Sequence, residues 1–277
     1  MRIVFAILAS MMIAAGVAAA APQPQSLPPS DSLALGRLQA SPRHGEFVDI
    51  PYGTAGVRLR TWVVYPERKD KAGVVLMIHE IFGLSDWIRG VADQVAAEGY
   101  IAVAPDLISG MGPGGGGTDS VATRDDVVKL IRGLSPEETH ARLEAVRAWA
   151  AKLPSANGRL ATMGFCWGGG RSFELAAAEP PPQATVVFYG TAPDSATLLR
   201  VRAPVLGLYG GDDARVDATI EPAQAVLKTT KTSFEPHVFK GAGHGFLRQQ
   251  DGRDGANRAA TEQSWPRVVA FLKSHLK

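Results

Sequence analysis

The stretch from Gly164 to Gly170, near the middle of the chain, constrains the fold most. Residues 159–163 are typical of a short strand, and residues 171–178 are typical of a helix. The pattern therefore predicts strand, sharp turn and helix, with Gly-x-Cys-x-Gly at the turn. Glycines two residues before and after Cys166 let the strand and the helix approach closely around a residue held at unusual φ and ψ. A lone cysteine is ordinarily a small apolar side chain, but this context favours a reactive thiol, and the helix N-terminus favours its thiolate.

Strand and helix signals alternate from about residue 45 to residue 275. This alternation predicts one α/β domain over residues 45–277, with a mostly parallel central sheet and helices on both faces. The unbroken apolar run at 74–78 is typical of a strand buried on both faces. We expect strands at 46–51, 57–65, 74–78, 100–104, 159–163, 184–189, 203–209 and 234–239. We expect helices at 87–98, from a capping box at Ser135 onward, and at 171–178, 221–228 and 257–276.

The N-terminus has the pattern of a secretory signal peptide over residues 1–20. Arg2 precedes an apolar run that ends in Ala18-Ala19-Ala20, so we expect cleavage before Ala21 and export, to the periplasm if the source is bacterial and into the medium otherwise. The alternative is an uncleaved membrane anchor. Residues 21–44 contain five prolines and predict a linker with one helical turn around 33–38.

Composition and charge exclude several classes of function. The net charge is +2 and the basic residues are scattered, so we expect no nucleic-acid partner and, after signal cleavage, no membrane partner. No cluster of residues has metal-ligand spacing, so we expect no metal, and we expect no cofactor. We also expect the protein to be a monomer. The glycine-rich residues 110–117 lack the Lys-Ser/Thr of a phosphate-binding loop, so they form either a flexible surface loop or a lid over the site.

A thiol nucleophile needs a base, and His244 is the best candidate. It lies on a glycine-flanked loop directly after the last expected strand. Asp213 follows an earlier strand at the same carboxyl edge of the sheet, where functional groups of open α/β sheets gather. Asp212 competes with it, although an Asp at such a turn commonly bonds its own backbone. Among the other histidines, His79 is expected to shape a loop. The remaining four are expected to be solvated or packed; they are His44, His140, His237 and His275.

Together these motifs resemble the dienelactone hydrolase family of the α/β-hydrolase superfamily. The likeness is carried by His79-Glu80-Ile81-Phe82-Gly83, Pro105-Asp106-Leu107, Gly164-Phe165-Cys166-Trp167-Gly168-Gly169, Gly210-Gly211-Asp212-Asp213 and Gly243-His244-Gly245-Phe246. The resemblance implies an α/β-hydrolase fold and a triad of Cys166, Asp213 and His244. In such a triad the histidine takes the thiol proton and the aspartate fixes its tautomer.

The resemblance also implies roles around the triad. Glu80 corresponds to a carboxylate that interacts with the thiol and helps to generate thiolate once substrate is bound. The backbone N–H groups of Ile81 and Trp167 would form the oxyanion hole. Arg248 corresponds to one of two arginines that hold a substrate carboxylate. The other is missing, because no arginine follows Leu107 before Arg124.

The sequence therefore predicts a hydrolase that opens lactones or small activated esters through a cysteine acyl-enzyme. The partner is a small-molecule substrate. Two alternatives remain open at this stage. One is a carboxylesterase of broader specificity that uses the same residues, and the other is a non-catalytic binding protein with the same fold.

Overall fold

The computed structural model describes residues 27–53 and 56–277. These residues form one eight-stranded sheet in the order β1-β2-β4-β3-β5-β6-β7-β8. The β1–β2 and β2–β4 pairs are antiparallel and the remaining pairs are parallel. The strands are β1 (Gly45–Tyr52), β2 (Val57–Val64), β3 (Ala72–Ile78), β4 (Ile101–Pro105), β5 (Ala156–Phe165), β6 (Ala184–Phe188), β7 (Val205–Gly210) and β8 (Phe234–Phe239).

Helices cover both faces of this sheet. They are α1 (Ala34–Gln39), α2 (Asp86–Ala97), α3 (Arg124–Gly133), α4 (Pro136–Ala150), α5 (Trp167–Leu175), α6 (Ser195–Leu198), α7 (Ala214–Asp217), α8 (Ile220–Thr230) and α9 (Ala256–Leu276). Strand β3 shows the layering, because Val75 and Met77 belong to the core under α2 and α9, whereas Val74 and Leu76 belong to the core under α4. Burial on both faces explains why the strand has no polar residue.

The predicted fold class is confirmed, with shifts at several element ends. Strand β5 begins at Ala156, three residues before the expected start, because Ala156 pairs with Ala72 of β3. Helix α5 begins at Trp167, directly after Cys166, rather than at Arg171. Helix α3 was not expected, because only Val127 and Ile131 of its residues are buried.

The segment from residue 27 to residue 44, which we call the N-terminal strap, packs on the domain. The prediction of a linker in this region is therefore wrong. Its described residues pack on the domain: Trp87 Nε1 donates to Pro29 O at 3.0 Å, Gln250 Nε2 donates to Pro28 O at 3.0 Å, and Ala34 is fully buried. The folded part therefore begins before Gly45. Proline carbonyls accept these hydrogen bonds as well as any other, so a proline-rich composition did not prevent docking.

The expected signal peptide and residues 21–26 lie outside the described residues. Within the described part of the chain, no helix combines the length and apolar character that a membrane span needs.

The glycine-rich loop is fastened at its base. Buried Asp106 accepts hydrogen bonds from the Thr118 N–H at 2.6 Å and from the Thr118 hydroxyl at 2.9 Å. Arg142 of α4 donates to the carbonyl of Ser109 at 2.7 Å. These contacts fix both ends of residues 110–117 beside the carboxyl end of β4.

The junction of β5 and α5 is packed so closely that Gly164 and Gly168 admit no side chain. A Cβ on Gly164 would lie 1.9 Å from the carbonyl oxygen of Gly168, and one on Gly168 would lie 2.3 Å from the carbonyl oxygens of Ile78 and His79. Real Cβ atoms do not approach backbone so closely. The first turn of α5 therefore rests directly on the ends of β3 and β5.

We expect Gly164→Ala to lower the free energy of unfolding by more than about 3 kcal/mol, since backbone must move to admit the methyl group. Gly133→Ala, in α3, is the matched control, because a Cβ there meets nothing within 4 Å. That control should be neutral or stabilising by up to about 1 kcal/mol. Urea unfolding of the two variants measures both values, and equal stability of the two would contradict the packing described.

Candidate active site

Cys166 lies at the turn between β5 and α5 in a strained backbone conformation. Its φ is 55° and its ψ is −118°, a region that residues with a side chain rarely adopt. The Cys166 N–H donates to the carbonyl of Phe188, at the end of β6, at 3.0 Å. The turn is therefore tied to the neighbouring strand β6, and it presents the sulfur at the carboxyl edge of the sheet.

The loops after β7 and β8 bring a carboxylate and an imidazole to the same place. His244 Nε2 lies 2.9 Å from Cys166 Sγ, and His244 Nδ1 lies 2.5 Å from Asp213 Oδ2. Gly210 permits this approach, since a Cβ there would lie 2.6 Å from the carbonyls of Ala242 and Gly243. The three groups form a continuous hydrogen-bonded chain that can pass a proton from sulfur to imidazole.

Asp212, the competing carboxylate, points elsewhere. It forms an ion pair with Arg253 at 3.0 Å, and both side chains are about half exposed. Its backbone N–H donates to Ala242 O at 2.9 Å, which fastens the β7 loop to the β8 loop. Asp212 thus supports the loop that carries His244, while Asp213 contacts the imidazole itself.

The thiol of Cys166 is protonated at neutral pH, which differs from the thiolate expected at a helix N-terminus. Burial, followed by the negative charge of Glu80, raises the pKa of Cys166 to about 11. The N–H of Trp167 lowers this pKa, as the helix end should, but its effect is smaller than that of burial. The helix terminus is therefore outweighed by desolvation and by a neighbouring carboxylate.

Glu80 is itself buried, with 2% of its surface exposed, and is paired with Arg248. The Arg248 Nε donates to Glu80 Oε2 at 2.7 Å. Burial raises the pKa of Glu80, while Arg248 and His244 oppose that rise. A carboxylate with a raised pKa beside a neutral thiol can either accept a proton or repel an anion. The predicted substrate-binding arginine is thus already engaged by the site's own carboxylate.

The two expected oxyanion-hole residues, Ile81 and Trp167, lie close to each other. Trp167 follows Cys166 directly, and the side chains of Ile81 and Trp167 pack in the same small apolar cluster against α3. In the described part of the chain, neither of their N–H groups donates to a backbone carbonyl. His79 shapes this loop as expected: its Nδ1 contacts Glu80 O at 2.7 Å and its Nε2 accepts from the Leu107 N–H at 3.2 Å.

No role at the site was predicted from the sequence for Tyr189 or Arg124. Tyr189 is fully buried, and its ring packs edge-on to His244 with centroids 5.2 Å apart. Burial, then the charges of Glu80 and Cys166, raise the pKa of Tyr189. Arg124 lies over the Phe82 ring, 3.7 Å from its centroid. Tyr189 has an unusual φ of 40° directly after the end of β6, but this angle is visible only in the structure.

Comparison with known proteins identifies the family. The model of the dienelactone hydrolase family matches residues 59–276. The chain belongs to this family. It is a hydrolase of carboxylic esters.

Relatives and solved structures agree with this assignment. A provisionally named carboxymethylenebutenolidase of Escherichia coli is 30% identical over 245 residues, which cover 83% of this chain and 86% of the relative. One of Saccharolobus solfataricus is 29% identical over 255 residues and covers 81% of this chain and 97% of the relative. The crystal structure of a provisionally named dienelactone hydrolase from Klebsiella pneumoniae has a TM-score of 0.72 at 27% identity, and the match covers 83% of this chain and 98% of that one.

The raised pKa predicts a slow thiol whose reactivity increases with pH. Only the thiolate is nucleophilic, so alkylation of Cys166 by iodoacetamide near pH 7.5 should be at least about tenfold slower than that of free cysteine. The rate should rise with pH until about pH 11. Glu80→Gln removes the second cause of the shift, and should speed alkylation several-fold.

Glu262→Gln is the control for that substitution, because Glu262 is exposed on α9 and pairs with Arg258. It should leave the alkylation rate unchanged. A wild-type thiol that alkylates as fast as free cysteine at neutral pH would mean that Cys166 and His244 exist as an ion pair instead.

Proposed function

We propose that the chain opens lactones and cleaves small esters through a thioester formed on Cys166. One observation carries the proposal: the hydrogen-bonded chain from Cys166 Sγ through His244 to Asp213, with contacts of 2.9 Å and 2.5 Å, at a strained turn on the carboxyl edge of the sheet. Each proposed step uses groups of one copy of the chain, so the proposal requires neither a cofactor nor a second subunit.

In the first half of the reaction, Cys166 Sγ attacks the substrate carbonyl while its proton passes to His244 Nε2. Asp213 accepts the hydrogen bond from His244 Nδ1 and stabilises the imidazolium. The carbonyl oxygen becomes an anion that the N–H groups of Ile81 and Trp167 stabilise. His244 then returns the proton to the leaving oxygen, the carbon–oxygen bond breaks, and the thioester remains.

In the second half, His244 removes a proton from water, and the water oxygen attacks the thioester carbonyl. The carbon–sulfur bond breaks, and the sulfur recovers a proton from His244. A lactone leaves as a single hydroxy acid because its leaving oxygen stays attached, whereas an ester releases an alcohol and an acid. The complete cycle begins and ends with a neutral thiol, which matches the pKa of about 11 for Cys166.

Glu80 is proposed to control when the thiol ionises. In the resting site its charge opposes the thiolate, and Arg248 holds it at 2.7 Å. A substrate carboxylate that draws Arg248 away would leave Glu80 without its cation and raise its proton affinity, which favours the uncharged form of Glu80, and this form no longer opposes transfer of the thiol proton to His244. Activation would then depend on the charge of the substrate.

A carboxylesterase of broader specificity is the second candidate function. The observation in its favour is that Arg248 already pairs with Glu80 and lies 3.4 Å from Asp31, so its charge is partly satisfied before substrate arrives. A panel of lactones and esters separates the two. Strong preference for anionic lactones supports the first function, and indifference to a carboxylate supports the second.

Cys166→Ala should lower kcat for p-nitrophenyl acetate by at least about 10³-fold, because the nucleophile is lost. Asp213→Asn should lower it by about 10⁴-fold if the carboxylate sets the tautomer of His244, as in other triads. Stopped-flow release of p-nitrophenolate by the purified mature protein measures both.

His237→Gln is the matched control, since His237 lies on β8 but outside the site. It should keep wild-type turnover. Retention of full activity by Cys166→Ala would contradict the thioester mechanism. Complete absence of hydrolysis in the wild-type protein would favour the non-catalytic alternative.

We also propose that the protein is exported and works in an oxidising compartment. The signal-like pattern of residues 1–20 supports this, as does the neutral state of the single cysteine, which slows its oxidation. Expression of the full chain in a bacterium should yield a periplasmic protein whose first residue is Ala21, as read by N-terminal sequencing. Recovery of the uncleaved chain in the membrane fraction would establish the anchor instead.

A further inference from the structure

The carboxylate of Asp31, on the N-terminal strap, lies between two arginines at the edge of the site. Its Oδ2 is 3.4 Å from Arg248 Nη1 and 3.9 Å from Arg124 Nη2. Arg248 comes from the loop that carries His244, and Arg124 begins α3. Three segments that are far apart in the sequence thus converge on one negative charge.

The strap holds Asp31 in this position by contacts that do not involve its side chain. The Asp31 N–H donates to the Arg248 carbonyl at 2.9 Å. On the preceding residues, Pro28 accepts a hydrogen bond from Gln250 and Pro29 accepts one from Trp87. The carboxylate is therefore placed by the backbone, and substitution of the side chain leaves these anchors in place.

Arg248 connects this charge to the candidate active site. Its Nε contacts Glu80 on the inner side at 2.7 Å, and its Nη1 contacts Asp31 on the outer side. Both guanidinium groups also lie near the ring of Phe82, two residues after Glu80, at 3.7 Å for Arg124 and 5.0 Å for Arg248. A cleft of about 360 Å³ opens beside them and is lined in part by Asp31, Phe82 and Arg124.

Two arginines that lie near the same aromatic ring and the same carboxylate form a suitable site for an anion, and Asp31 already occupies it. The contacts of Asp31 are longer than an ideal charge-assisted hydrogen bond, and its side chain is 45% exposed. Such a contact is weak and screened by salt. The internal anion therefore competes with an external one without excluding it completely.

We propose that Asp31 sets the charge preference of the enzyme by acting as an internal carboxylate at a two-arginine site formed by Arg248 and Arg124. With Asp31 present, the advantage of substrates that carry a carboxylate over uncharged lactones and esters is smaller than the two arginines alone would give. Arg124, on α3, is the second specificity-determining cation. This inference rests on the proposed hydrolysis of lactones and esters and adds the charge of the substrate to it.

The test compares a carboxymethylene-substituted butenolide with its methyl ester, which share a ring and differ in charge. Ring opening is followed by absorbance at low ionic strength, and the measured quantity is the ratio of kcat/KM for the anionic substrate to that for the neutral one. Asp31→Asn should raise this ratio by about three- to tenfold. The increase should shrink at high salt, since exposed charges are screened.

Three variants complete the test. Arg124→Gln should lower the ratio, and adding it to Asp31→Asn should cancel most of the gain, because the second cation is then absent. Asp31→Glu should keep the wild-type ratio. Asp125→Asn is the matched control: it removes the same charge from an exposed residue next to Arg124, and should leave the ratio unchanged.

A ratio within twofold of wild type in Asp31→Asn would overturn the inference, as would an equal rise in the rates on both substrates. These outcomes differ from failure of the proposed function. If Cys166→Ala hydrolyses the neutral ester normally, the thioester mechanism is wrong. If Cys166→Ala is inactive and Asp31→Asn behaves as wild type, the mechanism stands and only the role of Asp31 is lost.

Discussion

The direct contact of backbone on backbone at the start of α5 determines the geometry of the site. Gly164 and Gly168 have no space for a methyl group, so the helix begins immediately after Cys166 and the turn takes a φ of 55°. The strain of such a residue, of order 1–3 kcal/mol, persists because the flanking strands are fully buried. Strand β6 fixes the Cys166 N–H, and the loops after β7 and β8 then need only short excursions to reach the sulfur.

Burial and the neighbouring charges keep the thiol of Cys166 neutral in the resting site. Desolvation acts on Cys166, Glu80 and Tyr189 alike, and raises the pKa of each. Arg248 is the cation that pairs with the buried carboxylate of Glu80 and partly balances its charge. A resting site of this kind has a less nucleophilic thiol, which also oxidises more slowly than a thiolate.

Sequence reasoning predicted the elements whose patterns are local and missed what depends on tertiary structure. Strand β8 was predicted with its observed ends, and the cap at Ser135 marked the start of α4, where Ser135 accepts from the Glu138 N–H at 3.1 Å. The raised pKa of Cys166 was not predicted, because a helix terminus is visible in the sequence, whereas burial of the sulfur depends on tertiary structure. The role of the strap was missed because its hydrogen bonds to Trp87 and Gln250 use proline carbonyls, which carry no side-chain signal.

The strap also makes the two ends of the chain unequal as points of attachment. Its backbone is tied to the loop that carries His244, through Asp31 and Pro28. The other terminus ends in α9, where Leu276 accepts from Asn157 at the far, amino end of β5. A protein immobilised through its N-terminus would transmit mechanical tension to the loop that carries His244, whereas one immobilised through Lys277 would transmit it to the opposite edge of the sheet. The C-terminal tail is therefore the better site for a surface linkage or a fusion partner.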